Sequence, residues 1–323
     1  MASSIHPVLL ITFNRPEHTE KSLNALLKQN PDLLYVFRDG PREGNRQDQE
    51  NCTKVREIVE RSLKNTDIEY HTYFSPRNRG CRDAVIFAIT EVLKKHDSVI
   101  IVEDDIITSP AFLSFMNQAL DYYESRKTVF SISGFSHSPA RFRVPEDYPY
   151  DVFASPRLFN WGWATWKDRW EQTDWSFSYY DRLVDNPSEV AAFNRGGEDL
   201  FPMLKEEHDG KSSAWDIQFE YAHFANHAVS IVPCHSYTKC IGEDGSGTHC
   251  IDRKAGPDDS TDDLCMKDQA VLTDNLYFDA RIINAQSSLF CRKKRPLWQK
   301  GINFIMRKLG KKPPFTIKKR YYA

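Results

Sequence analysis

The chain has 323 residues, 40% of them apolar, 13% aromatic and 27% charged, which is enough to bury a substantial core and too apolar for a disordered protein. Its formal net charge of −2 conceals an asymmetry: residues 291–323 carry twelve Lys or Arg and no acid, leaving 31 basic against 45 acidic residues elsewhere, a net of −14. The acidic body and the basic end therefore call for different partners, and nucleic acid is not expected among them.

Seven cysteines, an odd number without a C-x-x-C pair, argue against a zinc ribbon or a complete disulfide framework, so reduced thiols are expected. The start, "MASSIHPVLLITFNRPEH", has no basic leader and an apolar run of only six residues. No other segment reaches spanning length. The expected location is cytoplasmic, with any membrane contact peripheral and on the inner face of the cytoplasmic membrane.

The first hundred residues alternate strand and helix patterns. "VLLITF" (8–13) reads as a buried strand, and "RPEHTEKSLNALLKQ" as a helix with Pro16 in its first turn and Leu23, Leu26 and Leu27 on one face. Strand 33–37, helix 49–64, strand 68–74, helix 81–95 and strand 98–102 follow. Such alternation predicts an α/β fold, a largely parallel sheet with helices on both faces. Ligands of such sheets sit beyond the carboxyl ends of the strands, where "FNRP", "RDGPR", "SPRNRG" and "EDD" fall.

Past Asp105, "SPAFLSFMNQALDYYES" predicts a helix capped by Ser109 with Pro110 at its first position, and "TVFSISGF" (128–135) another strand. From about 140 to 270 the pattern is irregular and aromatic-rich, with a helix across "AWDIQFEYAHFANH" and a strand across "AVSIVPCHSY". There is no internal repeat or low-complexity linker, so one continuous unit is expected. Residues 1–135 would bind a nucleotide-bearing ligand, 136–290 its reaction partner, and 291–323 would form a basic amphipathic tail. In that tail Trp298, Ile302, Ile305 and Leu309 recur at helical spacing among Lys and Arg. Two readings stay open: a helix lying on an anionic bilayer, or one docked on the body through that stripe.

"SVIIVEDD" ends an apolar strand on Glu103, Asp104 and Asp105. In a strand continued through the triplet, Glu103 and Asp105 would share one face and Asp104 the other. Two carboxylates about 4 Å apart repel by roughly 4 kcal/mol at an effective dielectric of 20, and a divalent cation would compensate. Hard oxygen ligands suit Mn²⁺ or Mg²⁺ bridging protein carboxylates to a diphosphate.

Arg15 would join this site if the sheet places the first and fourth strands side by side, its guanidinium suited to paired phosphate bonds. Asp39 in "RDGPR" either accepts from a nucleobase N–H or shapes the Asp-Gly turn. Asp216, after Trp215 at a helix start, suits a cap and needs further grounds for a functional role. Trp161, Trp163, Trp166 and Trp170 crowd one stretch and offer faces for sugar rings or for the core, with Trp163 the candidate. "CIGEDGSGTHC" has the glycines of a closing loop, and His249 lies within it.

Taken together, "ITFNRPEHTEKSLNAL", "VFRDG", "IIVEDDIITSPAFLSF", "FSISGFS", "FNWGWATW" and "AWDIQFE" resemble, in order, the GT-A glycosyltransferases similar to N-acetylglucosaminyltransferase I and its bacterial relatives. The likeness spans about residues 8–250. It implies a GT-A, Rossmann-like fold with an aromatic-rich acceptor side, and Mn²⁺- or Mg²⁺-dependent transfer from a nucleotide-sugar, a UDP-sugar such as UDP-GlcNAc, to a glycan or lipid-linked acceptor with inversion. Carried over residue by residue, it implies Asp105 on the metal, Asp104 on the ribose, Glu103 at the donor sugar, Arg15 on the diphosphate, Asp39 on the uracil and Arg82 near the base. Trp215 and Asp216 would form the acceptor-side pair in which Asp216 is the base, Trp163 would face the acceptor, and His249 would add a metal ligand.

Two other classes compete. A nucleotidyltransferase would show a Gly-rich phosphate loop after the first strand, where "FNRPEH" has none. A non-catalytic carbohydrate-binding protein leaves the acid triplet and Asp216 without a shared purpose.

Overall fold

A computed structural model describes residues 6–242, 263–291, 297–308, 312 and 314. The expected alternation is present: strand β1 (Val8–Thr12), helix α1 (Pro16–Leu27), β2 (Leu33–Arg38), α2 (Arg46–Leu63), β3 (Glu69–Phe74), α3 (Cys81–Leu93) and β4 (Ser98–Glu103). Then come β5 (Ile106–Thr108), α4 (Phe112–Tyr123), β6 (Val129–Ser133), β7 (Val152–Ser155), β8 (Trp163–Trp166), α5 (Lys167–Trp170), α6 (Tyr180–Val184), α7 (Pro187–Phe193) and α8 (Leu200–His208). The chain continues through α9 (Asp216–Ala225), β9 (Val229–Pro233), β10 (Thr238–Cys240), α10 (Ala280–Leu289) and α11 (Leu297–Lys308).

Eight strands form one sheet in the order β3-β2-β1-β4-β8-β6-β9-β7. The first four run parallel, β8 runs antiparallel to both β4 and β6, β9 is parallel to β6, and β7 is antiparallel to β9. This is a mostly parallel Rossmann-like sheet flanked by helices, the GT-A architecture. Alternation along the central strands sorts the core into two layers. Val8, Leu10, Ile100 and Val102 pack with residues of α1, α2 and α4. Leu9, Ile11, Val99 and Ile101 face α3, α9 and the tryptophans.

Two local expectations are corrected. Helix α4 begins at Phe112 with Ala111 at its cap, not at Ser109. The Ser109 N–H donates to the Tyr237 carbonyl at 2.8 Å and its own carbonyl accepts from Phe112, so a turn precedes the helix. The stretch "WATW", within the region read as irregular and aromatic-rich, is strand β8, hydrogen-bonded between β4 and β6. A strand from the aromatic-rich half thus sits at the centre of the sheet.

The exits of β2 and β3 lie close together. A Cβ on Gly40 would fall 2.2 Å from the Arg77 carbonyl carbon, so only glycine lets the two chain segments approach. Gly40→Ala should lower stability by about 1–3 kcal/mol, the usual cost of forced overpacking, read as a fall in the urea midpoint. An unchanged midpoint would contradict this packing.

Candidate active site

The site begins at the end of β4. Ile11 of β1 pairs with Glu103, so the exits of the first and fourth strands are neighbours. Strand β4 stops at Glu103, and Asp104 and Asp105 form a turn instead of prolonging it. The two aspartates therefore do not alternate faces as a continued strand would require. Both reach Arg15, which caps α1: one guanidinium nitrogen donates to Asp104 Oδ1 and the other to Asp105 Oδ2 at 3.0 Å. Pro16 starts α1 immediately after and fixes the direction in which Arg15 leaves the helix.

Asp104 is buried and fully engaged. Its Oδ2 accepts from the Phe13 N–H at 3.2 Å, and its carbonyl accepts from Ser22 Oγ at 2.7 Å. Burial lowers the pKa of Arg15, but Asp104 and Asp105 outweigh it and hold the guanidinium charged. Burial, then the charges of Asp105 and Asp104, raise the carboxyl pKa of Glu103.

Gly242, the last described residue before positions 243–262, packs on the Asp105 carboxylate. A Cβ there would lie 2.2 Å from Asp105 Oδ2. The Ile241 N–H also donates to the Asp105 carbonyl at 2.8 Å, continuing the pairing of β5 with β10. Residues 241 and 242 therefore lie directly against Asp105. His249 lies outside the described residues.

Asp39, at the end of β2, is buried, and burial raises its pKa against four protein donors. It accepts from Gly40 N at 2.8 Å, Arg79 N at 2.9 Å, Gly80 N at 3.2 Å and Asn78 Nδ2 at 2.8 Å. It ties the exits of β2 and β3 together. Arg82 sits in the first turn of α3, and its guanidinium donates to Gln218 Oε1 at 2.7 Å, to Asp83 at 2.8 Å and to the Trp175 carbonyl at 3.1 Å. These bonds brace α3 against α9, and a nucleobase contact would have to break them.

Asp216 opens α9, half-buried, and follows the buried Trp215. It lines a recess with Phe135, His137, Phe159, Trp161 and Glu220. Trp163 does not reach that recess: its side chain is wholly buried, stacked on Trp215 with ring centroids 5.1 Å apart. The tryptophan that faces the recess is Trp161, so the expectation of an acceptor-facing Trp163 is corrected. Strand β8 points Trp163 into the α3/α9 layer, where it supports Trp215 and hence Asp216.

Cys81, at the start of α3, marks where these parts meet. Its thiol pKa is pushed up to about 12, by burial first and then by the charges of Glu103, Asp216, Asp105 and Asp39. Carboxylates from the exits of β2 and β4 and from the start of α9 thus all lie near enough to Cys81 for their charge to disfavour its thiolate. Residue typing alone gave Cys81 no role, and it offered Trp161 only as one of four crowded tryptophans and Gly242 only as a loop glycine.

The donor set fits a hard divalent cation. Among the described residues no three His, Cys, Asp or Glu side chains gather as a complete metal cage, so protein oxygens would supply only part of the shell. Mn²⁺ and Mg²⁺ are commonly held by one or two carboxylates with water and phosphate oxygens completing the coordination. Asp105, half-buried and beside the cationic Arg15, is such a carboxylate.

The sequence profile of the GNT-I family matches residues 1–192, more than half of the chain and the part that holds Arg15, Asp39 and the acid triplet. The chain belongs to the GNT-I family. It is a family of glycosyltransferases, and the order of motifs in this chain follows it. No curated protein sequence matches the chain. Among solved structures it is similar to the mannosyltransferase PcManGT from Pyrobaculum calidifontis in complex with GDP-Man and Mn²⁺, with 18% identity and a TM-score of 0.37 over 52% of this chain and 46% of that one. The chain thus spans less than half of that enzyme's length. A UDP-glucose pyrophosphorylase complexed with UDP-glucose shows 9% identity and a TM-score of 0.39 over 71% of this chain and 90% of that one.

Glu220 lies one helical turn beyond Asp216. It is buried, its Oε2 accepts from the Leu158 N–H at 2.6 Å, and burial pushes its pKa up to about 8 against the pull of Arg157. An unfolded chain would release this proton near pH 4.5. Between those values the fold holds one proton more than the unfolded chain, so stability declines as pH rises through the window. Glu220→Gln should flatten the loss of thermal stability between pH 5 and pH 8.5. An identical pH dependence in the variant would contradict a buried, protonated Glu220.

Proposed function

We propose that the chain transfers a sugar from a UDP-sugar such as UDP-GlcNAc to a hydroxyl of a glycan or lipid-linked acceptor, in one displacement with inversion. Support comes from membership in the GNT-I family over the part that holds Arg15 and the acid triplet, together with Asp216 at the start of α9 on the wall of a recess, its charge also acting on Glu103. Residues 1–135 would hold the donor and residues 136–290 the acceptor. The sheet, continuous through β8, would keep the two in fixed relation.

In this reading Asp105 would hold Mn²⁺ or Mg²⁺, and the chemistry such an ion would supply is electrostatic stabilisation of a leaving diphosphate. Arg15 spends one guanidinium nitrogen on Asp104 and the other on Asp105, and would meet diphosphate oxygens with its remaining N–H groups or by exchanging the Asp105 bond. Glu103 would face the donor sugar, while Asp104 and Asp39, both buried and already bonded within the protein, would reach the ribose and the uracil only by sharing or exchanging those bonds. Asp216 accepts the proton of the acceptor hydroxyl as that oxygen attacks the anomeric carbon. The bond from that carbon to the phosphate oxygen breaks on the opposite side, and the electron pair leaves with the nucleoside diphosphate. No covalent sugar–protein intermediate is needed.

Trp161, at the wall of the recess, offers a ring for the apolar face of an acceptor sugar. Trp163, stacked on Trp215, supports the start of α9 and with it Asp216. A carbohydrate-binding protein could share the recess, but it would have no use for a carboxylate at the start of α9 facing the acid triplet. Membership in a glycosyltransferase family also weighs against it.

Asp216→Asn keeps size and shape while removing the base. It should bind UDP-GlcNAc and Mn²⁺ as the wild type does, with transfer slowed by about 10²–10⁴-fold. Binding by calorimetry and turnover by UDP release check the two halves of this statement. Normal turnover in the variant would remove Asp216 from the chemistry.

A further inference from the structure

Helix α11 is oriented against the usual rule for a helix on a globular body. Its side chains Ile302, Phe304 and Ile305 are 38%, 59% and 56% exposed, whereas the polar Asn303 is buried at 3%. At 100° per residue, Phe304, Lys308, Ile305 and Ile302 fall on one arc of about 160°, and Asn303 lies opposite its centre. Lys308 is exposed on that arc, with its ammonium 5.0 Å from the centroid of the Phe304 ring. The helix therefore has its polar Asn303 on the covered side and turns Ile302, Phe304 and Ile305 outward. This orientation disagrees with a helix docked through the apolar stripe.

The geometry points to an anionic lipid bilayer as the partner of this outward face. An amphipathic helix lies at the headgroup boundary when its apolar arc enters the acyl region and cations beside it meet anionic headgroups. Both halves of that requirement are present. The arc carries Ile302, Phe304 and Ile305, and residues 291–323 supply twelve Lys or Arg without an acid. The remaining chain, at −14, is repelled by the same surface, so the attraction is confined to this end and would hold the body in one orientation. Two copies meeting through this face would bring two all-basic ends together, which opposes self-association through it.

At twelve residues the helix is about 18 Å long, too short to cross a hydrocarbon core of about 30 Å and suited to lying on it. No helix among the described residues is long and apolar enough to cross a membrane. Phe290, which lines the recess beside Asp216, precedes Leu297 by seven residues. Even fully extended, that connection reaches only about 25 Å. On the function proposed above, a docked α11 would keep the recess near lipid-linked acceptors, although docking itself does not depend on that function.

Flotation of the full chain tests this with vesicles of phosphatidylcholine containing phosphatidylglycerol and with vesicles of phosphatidylcholine alone. The wild type should bind the anionic vesicles about tenfold or more tightly, with affinity falling as salt rises. The double variant Ile302→Glu, Ile305→Glu should lose that binding about tenfold or more while keeping its thermal midpoint and its affinity for UDP with Mn²⁺. Since both side chains are exposed, a folded variant is expected, and the single variant Ile305→Glu gives a second, milder measure in the same direction. Equal vesicle binding by wild type and double variant, or none by the wild type, would overturn the proposal. So would a concentration-dependent dimer that the double variant abolishes, because a second copy would then cover the face.

Discussion

Three carboxylates at the end of a buried strand repel one another, and the fold answers with Arg15. Strands β1 and β4 are paired so that the residue capping α1 stands across from Asp104 and Asp105 and bonds both. This ion cluster constrains what surrounds it: β4 must stop at Glu103, Ser22 must reach the Asp104 carbonyl, and position 242 must carry no side chain. A buried charged group that lacks its partner costs several kcal/mol, so the strand exit and the start of α1 depend on each other. The same placement leaves a guanidinium and a carboxylate side by side where a diphosphate and its cation would be held.

The second half of the chain completes the site from within the sheet, not from a separate layer. Strand β8 lies against β4 and carries Trp163 into the layer of Trp215 and Phe219. Packing of large rings fixes the start of α9, and with it Asp216. Glu220, one turn later, shares the recess and holds its proton through burial. Asp216 and the acid triplet come from strands and helices that share one core, so their separation is set by rigid elements. Catalytic groups are held more exactly by such elements than by loops.

The parallel half was legible because its strands are short apolar runs between amphipathic helices, and period alone separates the two. The metal-type triplet was legible too, since three acids behind "VIIV" need compensation wherever the chain goes. Its partner was legible only conditionally: Arg15 joins the triplet if the first and fourth strands pair, and that depends on strand order. Asp39 shows the same limit. Its four donors come from a turn 39 to 41 residues away and from the adjacent glycine, a pairing that no local pattern encodes. "FNWGWATW" misled in the opposite way: its aromatic residues suit a ligand surface and a buried strand equally, and hydrogen bonding to β4 and β6 decided between them. The helical period of the tail was plain in sequence, but which side is covered and which exposed was not: Asn303 is buried and Ile302, Phe304 and Ile305 are exposed.

The central claim is that the cluster of Arg15, Asp104 and Asp105 receives a cation together with a nucleoside diphosphate. Calorimetric titration of UDP into the protein, with and without Mn²⁺, tests it in the wild type and in Asp105→Asn. The account predicts that Mn²⁺ strengthens UDP binding about tenfold or more in the wild type and that the variant loses this enhancement while retaining its thermal midpoint. Mn²⁺-independent UDP binding in the wild type, or the same enhancement in Asp105→Asn, would contradict it.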